Sequence, residues 1–246
     1  MLEPSAFYNN LADLYDGMTQ FASRLPGQRQ LLADLLARVP AQRAVDMGCG
    51  TGVHAVALAQ LGLDVTGIDV SDGMLEKARA HAAAAGVSVE FLPGDFLTDI
   101  PRPPADLILC LGNSIPHLPS LDALFSVLAH WRTMLAAKGT AVVQLLNYQR
   151  VLDAGERIVN IRRDGDATII RFYDFLDERL RFNILTVNDG DGTLSHNLQS
   201  TLLFPFRQVH FETAARHAGF ASIDVFGSLR FAPFTSESTD LVVRIG

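Results

Sequence analysis

The sequence predicts an α/β protein built on a doubly wound, seven-stranded, mostly parallel sheet, with an antiparallel β cap inserted after strand five. Three observations predict it. Short apolar runs alternate with segments of helical periodicity from Arg43 to Leu146, the signature of a parallel sheet covered by helices. The first run leads into Asp46-Met47-Gly48-Cys49-Gly50-Thr51-Gly52, a glycine-rich turn. From 156 to 203 the pattern changes to short runs with partial period-two alternation, broken by turn pairs such as Asp164-Gly165 and Asp189-Gly190.

Along the chain, Phe7, Leu11, Leu14, Tyr15 and Met18 have helical spacing, which predicts a helix over 7–20. A second helix is expected over 28–38, stopped by Pro40. Strand one is Arg43–Met47, and the helix after the glycine turn covers 53–60. Val65–Ile68 is strand two, followed by a helix capped by Ser71 or Asp72 and ended by Gly86. Val87–Leu92 is strand three. Ala105–Leu111 is strand four, a near-continuous apolar run suited to burial on both faces. Ser120 caps a helix to about Leu135, and Thr140–Leu146 is strand five. A meander of three or four strands over 156–203 precedes a helix at 207–218 and strands at 222–226 and 241–245. Strict β-α alternation through strand five requires right-handed crossovers and a parallel sheet. The expected division is a helical N-terminal cap over the ligand site (1–40), a core (41–150 and 204–246) and an antiparallel β substrate cap (151–203).

At 246 residues and 48 % apolar, the chain can bury one large core, and a net charge of −7 argues against a nucleic-acid backbone as main substrate. Cys49 and Cys110 form no C-x-x-C pair, so neither a metal site nor a disulfide framework is expected. No basic-then-apolar leader and no run near the roughly 18 apolar residues of a membrane span is seen. A reducing cytoplasm is therefore the expected location, with no nucleic acid or membrane partner and monomer or homo-oligomer left open.

Ligands of such sheets bind beyond the carboxyl ends of the strands. Asp46, Asp69, Gly94-Asp95, Gly112-Asn113 and Asn147-Tyr148 all fall there. Glycine lets backbone approach a ligand, and Asp69, about 20 residues beyond Gly48, suits a ribose diol because an ionised carboxylate accepts two hydrogen bonds. The dinucleotide fingerprint G-x-G-x-x-G is not met, because Val53 occupies the place of its third glycine.

The G-x-G-x-G spacing, with Asp46 before it and Asp69 after the next strand, resembles motif I and its acidic partner in class I S-adenosylmethionine-dependent methyltransferases, which have a Rossmann-like fold. Within that group, Leu111-Gly112-Asn113-Ser114-Ile115-Pro116-His117-Leu118 and Asn147-Tyr148 resemble the corresponding segments of glycine and sarcosine N-methyltransferases. The helix Phe7–Asp16 resembles one that closes on the cofactor in small-molecule methyltransferases. One position departs: Leu146 stands where the glycine-type enzymes carry an arginine for the substrate carboxylate.

The resemblance implies S-adenosylmethionine as cofactor and S-adenosylhomocysteine as product. It implies that Asp46, Gly48, Cys49, Gly50 and Gly52 hold the methionyl part and Asp69 with Val70 the ribose. Met74, Gly94, Asp95 and Phe96 then surround the adenine, with Leu111 and Tyr15 closing the site. Asn113, His117 and Tyr148 are the candidates for catalysis, and Tyr8, Asn113, Arg171 and Tyr173 for substrate contact. Methyl transfer from a sulfonium to a neutral amine disperses charge already present, so alignment and desolvation suffice without a metal. An N-methyl acceptor is preferred to an O-methyl one. The competing readings are a nicotinamide-dependent oxidoreductase, which lacks its third glycine here, and a non-catalytic S-adenosylmethionine-binding protein.

Overall fold

A computed structural model describes residues 2–100, 104–190 and 194–246, with the side chains of 12–19 left out of the description. Two helices open the chain, α1 (Pro4–Thr19) and α2 (Phe21–Leu36). The core then runs β1 (Arg43–Met47), α3 (Val53–Gln60), β2 (Asp64–Asp69), α4 (Asp72–Ala84), β3 (Glu90–Pro93), β4 (Ala105–Cys110), α5 (Leu121–Met134) and β5 (Leu135–Leu146). A short helix α6 (Tyr148–Ala154) leads to β6 (Ile158–Asp164), β7 (Ala167–Phe175), β8 (Leu180–Asn188) and β9 (Ser195–Leu203). The chain returns through α7 (Gln208–His217), β10 (Ile223–Phe226) and β11 (Asp240–Ile245).

The strands form a seven-stranded sheet of order β10-β11-β5-β4-β1-β2-β3 and a four-stranded antiparallel sheet β6-β7-β8-β9. In the large sheet β11 runs antiparallel to both neighbours and the other pairs are parallel. The first βα unit and the crossover to β4 leave β1 at the point where strand order reverses, where this architecture opens a crevice. Burial follows the pleat. On β4, Ile108 and Cys110 join the cluster of Leu128, Trp131 and Phe211 from α5 and α7. Leu107 and Leu109 join that of Leu32, Leu35, Val56 and Leu75 from α2, α3 and α4. Successive side chains point to opposite faces, so a strand apolar at every position has to be covered twice.

Several details differ from the expectation. Helix α2 starts at Phe21 and runs through Pro26, which sits within its first two turns. The proline removes one hydrogen bond there, and burial of Phe21, Leu32 and Leu35 holds the helix. Strand β5 starts at Leu135, not Thr140, because a register shift lets 136–139 bulge between the pairs Ala105↔Leu135 and Leu107↔Thr140. Strand β3 is shorter than expected. No helix lies among the described residues between β3 and β4, so the strict alternation fails once. Helix α6 lies outside the expected pattern; Asn147 caps it by accepting from the Arg150 N–H and Gly155 ends it in the left-handed region.

The N-terminal segment does not act as one cap. Helix α2 packs into the core cluster with α3. Helix α1 instead bridges the small sheet and α4: Phe7 and Leu11 pack with Ile169 and Ile184 of the small sheet. Its Asn9 Oδ1 accepts from Ser71 Oγ at 2.7 Å and the Gly73 N–H at 3.1 Å at the start of α4. Among the described residues, no helix is long and apolar enough to cross a membrane.

Candidate active site

The glycine turn after β1 is shaped by what glycine alone permits. Gly48, Gly50 and Gly52 have φ of 71°, 55° and 85°, the left-handed region that side chains disfavour. A Cβ on Gly48 would come within 2.9 Å of Ser114 Cβ, so the turn passes close under the loop after β4. Gly52 serves packing instead. A Cβ there would press on Ala78 and Phe91, so its absence lets α3 pack against α4 and β3. The Gly48 and Cys49 N–H groups donate to the Ile68 carbonyl, tying the turn to β2.

Two carboxylates lie against this turn. Asp69 Oδ2 accepts from the Gly50 N–H at 2.8 Å, and Oδ1 from the Ser71 N–H at 3.0 Å. Burial raises the Asp69 pKa, and the Gly50 and Ser71 N–H groups oppose the rise. Each oxygen keeps acceptor capacity beyond its one backbone bond. Asp46 is fully buried, and neither of its oxygens has a hydrogen-bond partner. Burial first, and the Asp69 charge second, push its pKa up to about 7. An unpartnered buried carboxylate beside a second one makes the floor of the turn attractive to a cation.

Above the turn is a cavity of about 190 Å³. Of the expected cofactor residues, Gly48, Gly50, Asp69, Val70, Met74, Gly94, Asp95 and Phe96 line it. Asp95 Oδ1 accepts from the Leu97 N–H at 2.9 Å, so its turn is held rigid beside the cavity. The backbone of Phe96 is fixed by the Trp131 indole N–H, which donates to its carbonyl at 2.9 Å. Asp46, Cys49, Gly52 and Leu111 do not line the cavity; they are buried behind it. Burial also pushes the Cys49 thiol well above its usual range, which keeps it an inert apolar filler. The side chain of Tyr15 lies outside the described residues.

A second cavity, of about 350 Å³, shares Tyr8, Gly112 and His117 with the first. All four expected substrate residues, Tyr8, Asn113, Arg171 and Tyr173, line it. At their shared boundary, Tyr8 Oη lies 2.9 Å from His117 Nε2, with the rings edge to face. Burial lowers the His117 pKa to about 4, so the imidazole is neutral at pH 7. A base that weak does not take a proton from an ammonium, and His117 is better suited to hold a neutral group in place.

Asn113 and Tyr148 meet, but as a brace. Asn113 Nδ2 lies 2.9 Å from Tyr148 Oη, and its Oδ1 accepts the Leu146 N–H at 3.0 Å. These bonds hold Asn113 at φ 66°, a conformation asparagine tolerates better than most residues. Tyr148 is fully buried and lines neither cavity, because α6 turns it inward beneath the loop. Burial pushes its phenol well above the usual range, so it is no base.

Sequence reasoning missed several residues. Ser114 lines the first cavity and donates to the Leu111 carbonyl at 3.0 Å, closing the loop over Gly48. Gln144, in β5, accepts the Gly112 N–H on Oε1 at 2.7 Å and lines the second cavity. Pro4 and Leu118 complete the first. Position at a strand end pointed to Gly112 and Asn113; only Ser114, next to them, carried a comparable signal. Among the described residues, no cluster of histidine, cysteine and carboxylate side chains is arranged to hold a metal.

Comparison with known proteins agrees with this geometry. A family described as a methyltransferase domain matches residues 44–139, the stretch from β1 into β5. The glycine/sarcosine N-methyltransferase of Halorhodospira halochloris is 24 % identical over 241 residues, covering 97 % of this chain and 87 % of that one. The structure of the CcbJ methyltransferase from Streptomyces caelestis superposes with a TM-score of 0.81 at 22 % identity, covering 100 % of this chain and 98 % of that one. An S-adenosylmethionine-dependent methyltransferase from Clostridium acetobutylicum gives 0.81 at 15 % identity, over 97 % and 98 % of the two chains. With these likenesses and a glycine turn and acid at one sheet end, the chain is a class I S-adenosylmethionine-dependent methyltransferase.

Proposed function

We propose that this enzyme transfers a methyl group from S-adenosylmethionine to the nitrogen of a small-molecule amine, with the cofactor in the first cavity and the acceptor in the second. The observation that carries the proposal is that the two cavities meet at Tyr8, Gly112 and His117. An in-line displacement needs donor and acceptor on opposite sides of one narrow boundary. Preference for nitrogen is supported by the Halorhodospira relative, whose name specifies N-methylation. The boundary histidine supports it too: burial holds the His117 pKa at about 4, too weak a base for a hydroxyl acceptor, and a neutral amine needs no base to attack. Two buried free cysteines fit a reducing cytoplasm.

S-adenosylmethionine supplies a methyl group already activated by its sulfonium charge. The residues of this chain bind and align. Asp69 accepts the ribose hydroxyls with the lone pairs its backbone bonds leave open. The Gly48 and Gly50 turn admits the methionyl chain, with Asp46 and Asp69 beneath it favouring its ammonium. Met74, Phe96 and Asp95, which line the same cavity, would hold the adenine, the first two by packing and Asp95 through its carboxylate. On the acceptor side, Tyr8 and His117 hold the nitrogen, and the Asn113–Tyr148 brace fixes the loop that carries Gly112.

Incubation of the purified protein with S-adenosylmethionine and a panel of amines, carboxylates and phenols, read by mass spectrometry, tests this. The expected result is S-adenosylhomocysteine together with an N-methylated amine. Exclusive O-methylation would overturn the nitrogen assignment. Cofactor binding without any methylated product across the panel would favour a binding protein over an enzyme.

A further inference from the structure

The geometry points to a carboxylate-bearing or otherwise anionic acceptor with a sizeable apolar body, held by Arg171 from the cap; we propose Arg171 as the residue that selects it. This deepens the methyltransferase reading and rests on it. Arg171 lies on β7 between Ile169 and Tyr173, two positions that point to the same face. Both are buried, 3 % and 4 % exposed, so this face is interior and not a solvated strand surface. Among the described residues lining the second cavity, the arginine alone carries a full charge, since His117 there is neutral. Its Nε donates to Asn160 Oδ1 at 2.7 Å, and among the described residues it forms no ion pair. The guanidinium is thus oriented but electrically unmatched, and its end-on pair of Nη groups is the edge left for a two-pronged anion.

The orientation is built into the strand pairing. A register shift between Ile158 and Asn160 sets Asn160 opposite Arg171. Irregularities of this kind re-aim side chains beside binding sites. The rest of the cavity wall is mainly apolar, including Phe7, Leu11, Leu146, Phe182 and Ile184. Glycine, with a single methylene between its polar groups, would leave most of these apolar side chains without a partner. The acceptor therefore carries its nitrogen at the Tyr8–His117 boundary, its apolar body against these side chains and its anion at Arg171.

The test uses skeleton-matched pairs, such as 4-(2-aminoethyl)benzoate with 2-phenylethylamine, alongside glycine. Binding to the protein saturated with S-adenosylhomocysteine is measured by calorimetry, and methylation by mass spectrometry. The anionic member of a pair should bind at least tenfold better. Arg171→Gln should abolish that preference while S-adenosylhomocysteine affinity stays unchanged, and Arg171→Lys should restore part of it. Asn160→Ala should raise KM for the anionic member more than it lowers kcat, as expected of a positioning residue. Equal binding of both members, an undiminished preference in Arg171→Gln, a preference for glycine, or no binding by any probe would overturn the proposal. Failure of S-adenosylhomocysteine itself to bind would overturn the underlying methyltransferase reading instead. Unaltered circular dichroism and cofactor affinity establish that the variants fold.

Discussion

The two cavities are built by different means. The first is made mostly by backbone: glycine turns, strand ends and N–H groups that orient Asp69. The second is made by side chains from four parts of the chain, α1, the loop after β4, the end of β5 and the small sheet. A backbone-built pocket is defined by a few consecutive residues and tolerates change elsewhere. A side-chain-built pocket can be re-lined one residue at a time without touching the sheet. The division suits a constant methyl donor and a variable acceptor.

The largest expected effect lies on the floor of the first cavity. The Asp46 pKa rises from 3.8 to about 7 on folding. An acid whose folded pKa exceeds its unfolded value costs stability as pH rises from the lower value through the higher one, and the cost is constant above. Here it accumulates between about pH 4 and 7, to on the order of 4 kcal/mol. Asp46→Asn should therefore raise the melting temperature of the cofactor-free protein at pH 8 and scarcely change it at pH 4, by calorimetric scanning. An equal effect at both pH values would mean that the buried charge is not the cause.

Next comes Asp69→Ala. Loss of charge-assisted bonds worth about 1.5–3 kcal/mol should weaken S-adenosylhomocysteine binding tenfold to a hundredfold. Unchanged affinity in a folded variant would break the assignment of the first cavity to the cofactor. Replacing 156–203 by a short linker probes the other side: cofactor binding should survive and acceptor selectivity disappear. Retained selectivity would show that the cap does not choose the substrate. The smallest effect is expected at the shared wall. Tyr8→Phe removes one neutral hydrogen bond to His117, worth about 1 kcal/mol, and should alter acceptor KM several-fold more than cofactor affinity. Equal changes in both would erase the proposed boundary between the chambers.

What the sequence made legible follows the same division. Gly48, Gly50, Asp69, Asp95 and Phe96 reach the cavity because each sits at a strand end, and strand ends are read from local periodicity. Asn9 and Gln144 were invisible because tertiary packing, not position along the chain, brings them in. Asn9 meets Ser71 only when α1 docks on α4. Tyr148 shows the limit of the strand-end rule. It lies just past β5, yet α6, a helix of seven residues with one buried side chain, rotates it out of both cavities. Pro26 and the bulge at 136–139 misled in the opposite way, since packing carried a helix and a strand through residues that usually stop them.

Helix α1 supplies Pro4 and Tyr8 to one chamber and Phe7, Tyr8 and Leu11 to the other, while Asn9 fastens it to the core. One helix shared by two ligands makes their occupancies thermodynamically linked. Whatever free energy is needed to fix α1 is expended once, by the first ligand to arrive, and the second binds more tightly by that amount. Linkage requires the factor to be the same in either order. The affinity of an acceptor with and without S-adenosylhomocysteine, set against that of S-adenosylhomocysteine with and without the acceptor, therefore measures the coupling carried by α1 together with the shared Gly112 and His117.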